Sequence, residues 1–565
     1  MKPRWLVRGL LAFWMLSVSS TTEGYELITH AQISQRAFDL SAGLKRYFEE
    51  VGIDTNGVFD PDNSAEASTA FTLRFRNTGT LRAWLGAGAI REDDYLRNRV
   101  LEALGCTPAP NPQDPQAQID RPVNHFFDVQ RGGSGLTLAS GLFQGLSAPD
   151  WALGLQGRGS NPDQNRFSIL DARISQRESL TASTLAERDR HTALLFRTLG
   201  QVTHVLQDMA QPQHTRNDPH LGCLEFLGAG EHSWYEIYLE RRALQRTFRT
   251  RGDVAPPLRL DGYDPVRFGA YRDFWANAQG SGLAEFSSRN FFSAGTNLSL
   301  RNILFGSLLG GCGGLPEPPC RVGAYRAQPE IFTVRSVTGT TLAGTVTVYL
   351  RDMTDPVTGA AIPGVKISSR SLWDQHLEAL QLLPSFTLNT LNYDSISDVL
   401  LPRAVGYSAG FLDYFFRGKL DVDLFSDDGS TLQLRGTNAS PDPMVDGTLT
   451  LYADVPTLDP EGKPTTERRA LTALGETTVR GVDPGHPLSS ALFQPQEAER
   501  FVAVYQGRLG DEIPVPHPDT PTLSFPGGVI GKVLGGVRVE EVFSDGTRWK
   551  LRTPTGVFLL PFFVA

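Results

Sequence analysis

The sequence contains few cysteines. Only four occur among 565 residues: Cys106, Cys223, Cys312 and Cys320. An even count of this kind allows two disulfide bonds in an oxidising compartment, with three possible pairings. Because Cys312 and Cys320 enclose only the segment GGLPEPP, a local disulfide between them is the simplest pairing, and Cys106 would then pair with Cys223. Four unpaired buried thiols are the alternative.

The sequence also lacks a long apolar run. GLLAFWMLSV, at residues 9–18, is about half of the roughly 20 residues that a membrane-spanning helix needs, and no later segment reaches that length without charges. Lys2, Arg4 and Arg8 precede this run, and the small polar segment SSTTEG follows it. This order is typical of a secretory signal, so we expect residues 1–24 to be a signal peptide and the mature protein to be secreted or periplasmic. A signal anchor is the alternative.

Positive charge is in the minority. The 53 Lys and Arg residues face 62 Asp and Glu residues, which gives a net charge of -9. Bulk charge therefore would not attract a phosphate backbone, although bound cations would reverse the sign locally. A hydrophobic content of 40% argues against a disordered chain, and the length predicts two to four domains with their own cores.

The spacing of apolar residues divides the chain into helical and strand-like parts. Apolar residues recur three and four apart in segments such as HTALLFRTLGQVTHVLQDMA, which predicts a helical domain over residues 25–418. Short β-rich segments between Gly and Pro turns predict a β-rich insertion at 315–369. Regularly spaced strands predict a β-sandwich-like domain at 419–510, and residues 511–565 form either a β-hairpin module or its continuation. The predicted fold class is multi-domain: an all-α catalytic domain with a β-rich insertion, followed by a C-terminal all-β, sandwich-like domain.

The segment HVLQDMAQPQH concentrates residues that bind metals. His204 and Asp208 are four apart in a predicted amphipathic helix, so they project from the same face. Pro212 ends or kinks that helix, which lets His214 reach a neighbouring position. Imidazole nitrogens and carboxylate oxygens are the ligands of catalytic zinc sites. A core histidine with a capping aspartate is the alternative interpretation of the pair.

Other histidines lie in similar contexts. His232 and Glu236 are again four apart on a predicted helix, while His30 and His125 lie upstream together with the acidic pair Asp93 and Asp94. His191 and His220 have no partner at helical spacing, and we expect them to be surface or core residues outside any metal site.

These motifs resemble a known family. The HxxxDxxQPxH arrangement that starts at His204, followed by HxxxE at His232, is similar to the bacterial zinc-dependent phospholipases C and to the related fungal zinc nucleases that prefer single strands. YSAGFLDYFFRG, from Tyr407, resembles the closing helix of the same domain. The resemblance covers roughly Tyr25 to Gly418, apart from the insertion.

The resemblance implies a set of ligands for three zinc ions. One ion would be held by Asp93, His125, His204 and Asp208. Asp208 would bridge to a second ion, which also takes His30 and the backbone of the mature N-terminal residue, here Tyr25. The third ion would be held by His214, His232 and Glu236. Asp94 is the alternative to Asp93.

The resemblance also implies a function. It is that of a secreted trinuclear-zinc phosphodiesterase, most simply a phospholipase C that hydrolyses the glycerol-phosphate bond of phospholipids with metal-activated water. Asp93 is the candidate catalytic residue, because its carboxylate would orient that water or accept its proton. Glu236 favours the phospholipase branch, since the nucleases carry Asp there, and the β-domain suits peripheral contact with membranes.

Two other functions are consistent with the sequence. One is a zinc nuclease that acts on single-stranded nucleic acid, because both reactions use one metal layout. The other is a non-catalytic, zinc-bound adhesion or binding protein in which the β-domain carries the function. The sequence leaves the oligomeric state unknown.

The resemblance leads to a prediction about the mature N-terminus. Tyr25 lies five residues before His30, and its free backbone amine would be a metal ligand only if cleavage occurs between Gly24 and Tyr25. N-terminal sequencing of the mature protein should therefore begin at Tyr25. Cleavage after Ser19 or Ser20 would contradict the assignment.

Overall fold

The structure is a computed structural model that describes most of the chain. The described residues are 27–60, 78–93, 121–138, 143–154, 165–218, 220, 233–245, 255–293, 326–335, 341–370, 386–426, 430–459, 461–510, 512, 515–516, 524–525, 527–534, 541–544, 549–553 and 556–559. The predicted signal peptide and all four cysteines lie outside these residues.

The first part of the described chain is mainly helical, as predicted. Its α-helices are α1 (Leu27–Leu40), α2 (Ala42–Val51), α3 (Leu81–Arg91), α4 (Ala148–Leu153), α5 (Ile169–Thr181), α6 (Leu185–Gln207), α7 (Trp234–Ala243), α8 (Leu283–Asn290) and α9 (Thr390–Phe415). Short 3-10 helices span Arg121–Asn124, Val129–Arg131, Asp208–Ala210 and Tyr271–Phe274, and strands β1 (Thr137–Leu138) and β2 (Phe143–Gln144) form a small antiparallel pair. Within the described residues, no helix has both the length and the apolar character needed to cross a bilayer.

Helix α6 lies at the centre of the helical part. A capping box starts it: the Thr184 side chain accepts from the Glu187 backbone N–H, and the Glu187 side chain accepts from the Thr184 N–H. From Thr192 onward nearly every residue of the helix is buried, including His204. The chain continues into the 3-10 turn at Asp208, so the carboxylate follows the helix directly.

Two glycines allow α3 and α6 to approach closely. A Cβ added at Gly88 would lie 1.9 Å from the Arg197 carbonyl oxygen, and one added at Gly200 would lie 2.1 Å from the Leu85 carbonyl oxygen. No side chain fits at either position, so the backbones of the two helices are in direct contact. Residues at the end of α3 are thereby brought beside the end of α6 that carries His204.

A β-rich insertion lies between α8 and α9, as predicted. Strands β3 (Arg326–Arg335), β4 (Thr341–Thr354), β5 (Ala361–Arg370) and β6 (Phe386–Thr387) form one antiparallel sheet in chain order. Buried Val346, Val348 and Leu350 of β4 pack with Leu391 at the start of α9. The insertion is thus anchored on the last helix of the helical part.

The C-terminal part consists of strands packed in two sheets. The strands are β7 (Leu420–Phe425), β8 (Leu432–Asn438), β9 (Met444–Leu458), β10 (Pro464–Ala470), β11 (Thr478–Val479), β12 (Pro487–Phe493), β13 (Arg500–Leu509) and β16 (Gly528–Leu534). One sheet has the order β10-β9-β13-β16 with β11 beside β9, and the other has the order β12-β8-β7. Leu434 from the second sheet and Leu451 from the first belong to one buried cluster. This arrangement confirms the predicted sandwich-like fold.

The segment after residue 510 contributes strands to the larger sheet of the sandwich and to two small sheets of its own. Strand β16 extends the larger sheet by pairing with β13. The later strands β17 (Glu541–Ser544), β18 (Trp549–Thr553) and β19 (Gly556–Leu559) form their own antiparallel meander, and β14 (Val515–Pro516) pairs with β15 (Ser524–Phe525).

The β-sandwich is packed directly against the helices. Val502, Val504 and Val529 belong to the same buried cluster as residues of α2, α5 and α6. At the edge of this contact, Glu512 accepts hydrogen bonds from Arg173 of α5 and Arg417, each at 2.8 Å. Burial raises the pKa of the Glu512 carboxyl, but the two guanidinium groups outweigh burial and lower it below the ordinary value of 4.5. The carboxylate therefore neutralises two cations between the helices and the sandwich.

This ion pair predicts a pH-dependent contribution to stability. Because the folded-state pKa of Glu512 is lowered, its contribution is present above pH 4.5 and is lost as the pH falls through the folded-state value. We expect Glu512→Gln to lower the free energy of unfolding by about 3–5 kcal/mol at neutral pH, because it removes the carboxylate that pairs with buried Arg173, whereas Arg417 keeps its ion pair with Asp442. Chemical denaturation at several pH values measures this difference. A deficit that stays constant down to strongly acidic pH would contradict the role of the charge.

Candidate metal centre

Asp208 lies at the centre of a cluster of imidazole rings. Its carboxylate is 1% exposed. Asp208 Oδ2 lies 3.1 Å from His125 Nδ1 and 3.4 Å from His204 Nε2, while Oδ1 lies 3.4 Å from His30 Nε2. Three histidines that are far apart in sequence thus converge on one carboxylate.

Asp93 forms the outer side of the same cluster. Its Oδ1 lies 3.6 Å from His125 Nδ1 and 3.5 Å from His204 Nε2. The Asp93 side chain is 14% exposed, more than any other acidic side chain of the cluster. Asp93 therefore belongs to the same cluster as His125 and His204, and Asp94 falls outside the described residues.

Local structure explains how these side chains meet. His30 projects from α1, and His204 projects from α6 one turn before Asp208. Asp93 follows the end of α3, which the glycine contact holds against α6. His125 and His214 lie on two irregular segments that are joined by a hydrogen bond of 2.9 Å from the Phe127 N–H to the His214 carbonyl. The helices therefore position His30, His204 and Asp93, and the backbone hydrogen bond positions His125 and His214 relative to each other.

A second cluster surrounds Glu236 at the start of α7. Glu236 Oε1 lies 3.7 Å from His214 Nε2 and accepts a hydrogen bond of 2.8 Å from Gln211 Nε2. His220 Nε2 lies 2.9 Å from the same oxygen, and the His214 and His220 rings are 4.9 Å apart. The expectation that His220 lies outside the site is therefore wrong. His220 follows a run of turns, so the helical spacing that linked the other pairs could not reveal it.

Two predicted ligands fall outside the described residues. Tyr25 precedes α1, and His232 lies just before Ser233, the N-cap residue of α7. Their assignment remains what the resemblance implies. His191, the other histidine set aside, lies near the start of α6, far along the helix from His204.

The electrostatics of the rings follow from burial and from the carboxylates. Burial lowers the pKa of His125, but its hydrogen bonds to Asp208 and Glu92 outweigh burial and raise that pKa to about 10. Burial likewise lowers the pKa of His220, and the charge of Glu236 raises it to about 9. Burial and the neighbouring His204 lower the pKa of His30. Without a metal ion, protons on some of these rings balance the buried negative charge.

The carboxylates of Asp208 and Glu236 are held in their ionised form. Burial raises the pKa of Asp208, but His214 and His204 outweigh it and lower that pKa well below 3.8. Burial likewise raises the pKa of Glu236, but the charge of His220 outweighs burial and lowers that pKa to about 2. Ionised carboxylates beside imidazoles are the form that binds a divalent cation, and such binding would release the ring protons.

The donor atoms fit divalent metal ions. Three groups have ligand atoms within 4.8 Å of one another: His30, His204 and Asp208; Asp93, His125 and His204; and His214, His220 and Glu236. His204 Nε2 and His214 Nε2 are buried and form no hydrogen bond with any residue that the structure describes, while the Nδ1 atoms of the same rings contact carbonyl oxygens. Buried polar atoms are rarely left in this way without a ligand. Nitrogen and oxygen donors without thiolates suit zinc and related cations in catalytic sites.

The chain has only low similarity to known proteins, in sequence and in structure. No protein-family model matches the chain, and no curated protein matches it. Among solved structures, it is similar to the alpha-toxin of Clostridium perfringens from an avian strain, with 11% identity, 90% of this chain and 98% of that chain covered, and a TM-score of 0.24. The alpha toxin from Clostridium absonum gives 13% identity, 94% and 98% coverage, and a TM-score of 0.22. Values this low transfer no function, so the chemistry of the site has to be judged from its own geometry.

The contact of His220 with Glu236 yields a prediction. His220→Ala should lower the content of divalent metal in the purified protein, because it removes one of three donor groups around that position. His191→Ala is the matched control, since it removes an imidazole remote from the site. Metal analysis by mass spectrometry measures both variants. Equal metal content in the two variants would show that His220 is not a ligand.

Proposed function

We propose that this protein is a secreted or periplasmic, zinc-dependent phosphodiesterase of the phospholipase C type. The observation that carries the proposal is the convergence of His30, His125 and His204 on the buried carboxylate of Asp208. Such a dense group of ionised carboxylates and imidazoles would be costly to bury unless cations bind there. The resemblance of the HxxxDxxQPxH motif to zinc-dependent phospholipases C supports the identity of the metal and the reaction.

The proposed ligand sets combine the geometry with the resemblance. The first ion would be held by Asp93, His125, His204 and Asp208. The second would be held by His30 and Asp208, with the mature N-terminus at Tyr25. The third would be held by His214, His220 and Glu236, with His232 as the ligand that the resemblance adds.

Bound cations would offset the negative charge of the carboxylates at this site. When bound, divalent ions supply the positive charge that attracts and polarises a phosphodiester, and they make water more acidic. The side chains alone give a site whose carboxylates would repel a phosphate. Asp93 is the acidic residue of the cluster nearest to solvent, so its carboxylate can orient an entering water molecule or accept a proton from it.

A phospholipid is the substrate that we propose. The motif resemblance ends in Glu236, where the related nucleases carry Asp. The β-sandwich gives the enzyme a second surface with which it would contact a membrane peripherally. A single-stranded nucleic acid and a purely structural metal centre are the two other outcomes that an assay must separate.

Asp208 provides the decisive test. Asp208→Ala should remove the carboxylate shared by two ions, so metal content should fall, and turnover should drop by more than the roughly 10–100-fold that is typical of losing an outer partner of a ligand. Asp189→Ala, on the helix that precedes Asp208, is the matched control. The assay uses a chromogenic phosphocholine ester and single-stranded DNA, with and without a chelator.

Each outcome of this assay has a distinct meaning. Chelator-sensitive hydrolysis of the ester supports the proposal, whereas cleavage of DNA alone would assign the nuclease activity. Retained metal without any turnover would point to a binding protein. Full activity of Asp208→Ala would refute the metal centre.

A further inference from the structure

The five described imidazoles of the site do not all present the same nitrogen to it. Four rings use Nδ1 for an outer contact: His30 with Gln207 Oε1 at 2.8 Å, His204 with the Ala89 carbonyl at 2.6 Å, His214 with the His125 carbonyl at 3.0 Å, and His220 with the Asp218 carbonyl at 3.1 Å. His125 is reversed. Its Nε2 contacts Glu92 Oε1 at 3.3 Å, and its Nδ1 faces Asp208 and Asp93.

The outer partner of His125 is also chemically different. The other four rings contact neutral oxygens of carbonyl or amide groups, whereas His125 contacts a carboxylate. Glu92 follows α3 directly, is fully buried and is adjacent to Asp93 in the chain. Glu92 thus contacts Nε2 on the outer side of the His125 ring, and the next residue, Asp93, faces Nδ1 on its inner side.

Glu92 is held rigidly by its own partners. Its Oε1 accepts a hydrogen bond of 2.8 Å from Trp151 Nε1, and its Oε2 is paired with the Arg121 guanidinium. Arg121 Nε also donates to the Glu92 backbone carbonyl at 3.3 Å. The guanidinium lies over the rings of Trp151 and Phe167, at 5.8 and 5.2 Å from their centroids. Arg121 thus fixes both the position and the charge of the carboxylate, and Trp151 is a further donor to Oε1.

A carboxylate beside Nε2 determines which tautomer His125 adopts. The Nε2 proton stays on the ring as a donor to Glu92, so the lone pair that binds a cation lies on Nδ1. A carboxylate partner also makes that nitrogen a stronger ligand. Without the negative charge of Glu92, the nearest charge on the Nε2 side of the ring would be the buried guanidinium of Arg121, which disfavours a proton on that nitrogen.

We propose that Glu92 is a positioning residue, which fixes His125 in the tautomer and orientation that bind a metal ion through Nδ1. This inference rests on the proposed function, because it requires that a cation bind at Asp93, His125 and His204. Glu92 itself stays outside the ligand set, since both of its oxygens are used by Arg121, Trp151 and His125.

The experiment compares metal binding in Glu92→Gln with the wild-type protein. We expect Glu92→Gln to weaken the binding of one zinc ion about 10–100-fold, in a titration against a competing chelator. The double variant Glu92→Gln/Arg121→Gln replaces the buried ion pair by two neutral amides, so that the measurement does not depend on whether the single variant folds. Trp151→Phe is the matched control, because it removes the other donor to the same oxygen and leaves the contact with His125.

A second readout reports on the ring itself. NMR of the zinc-loaded protein should show the His125 Nε2–H proton shifted downfield by its carboxylate acceptor in the wild type and in Trp151→Phe, and this shift should be lost when Glu92 is replaced. Wild-type zinc affinity in a folded Glu92 variant would overturn the inference alone, as would an equal loss in Trp151→Phe. A wild-type protein that binds no divalent cation would overturn the proposed function together with it.

Discussion

The contact between α3 and α6 is the constraint on which the site depends. Gly88 and Gly200 let the two backbones touch, and side chains of any size would separate them. Because the helices are this close, the Ala89 carbonyl reaches the His204 ring, and the chain leaving α3 delivers Glu92 and Asp93 beside it. A packing detail between two helices thereby sets the positions of groups that carry the chemistry.

The site is built as two layers of polar groups. An inner layer of carboxylates and ring nitrogens faces the proposed cations, and an outer layer of carbonyls, amides and one carboxylate holds the rings from behind. The outer layer comes mainly from backbone and from residues that also pack the core, such as Gln207. Orientation of the ligands is therefore a consequence of how the helical part folds.

The sequence predicted those parts of the site that obey a helical period. His204 with Asp208 is such a pair, and the broad division into helical and β-rich parts rests on the same kind of pattern. His220 was missed because it lies after a run of turns, where no period relates it to Glu236. Glu92 was missed because its neighbour Asp93 was the plausible ligand, and its role depends on Arg121 and Trp151, which spacing in sequence cannot bring together.

The β-sandwich shares its buried surface with the helices. Val502, Val504 and Val529 fill the same core as α2 and α5, and Gly531 leaves room for Leu180 and Val51 at that contact. Gly418 thus separates the helical and β-rich parts along the sequence, but the two parts share one buried core. A fragment ending there would expose an apolar face to water, so the two halves are expected to unfold in one cooperative step.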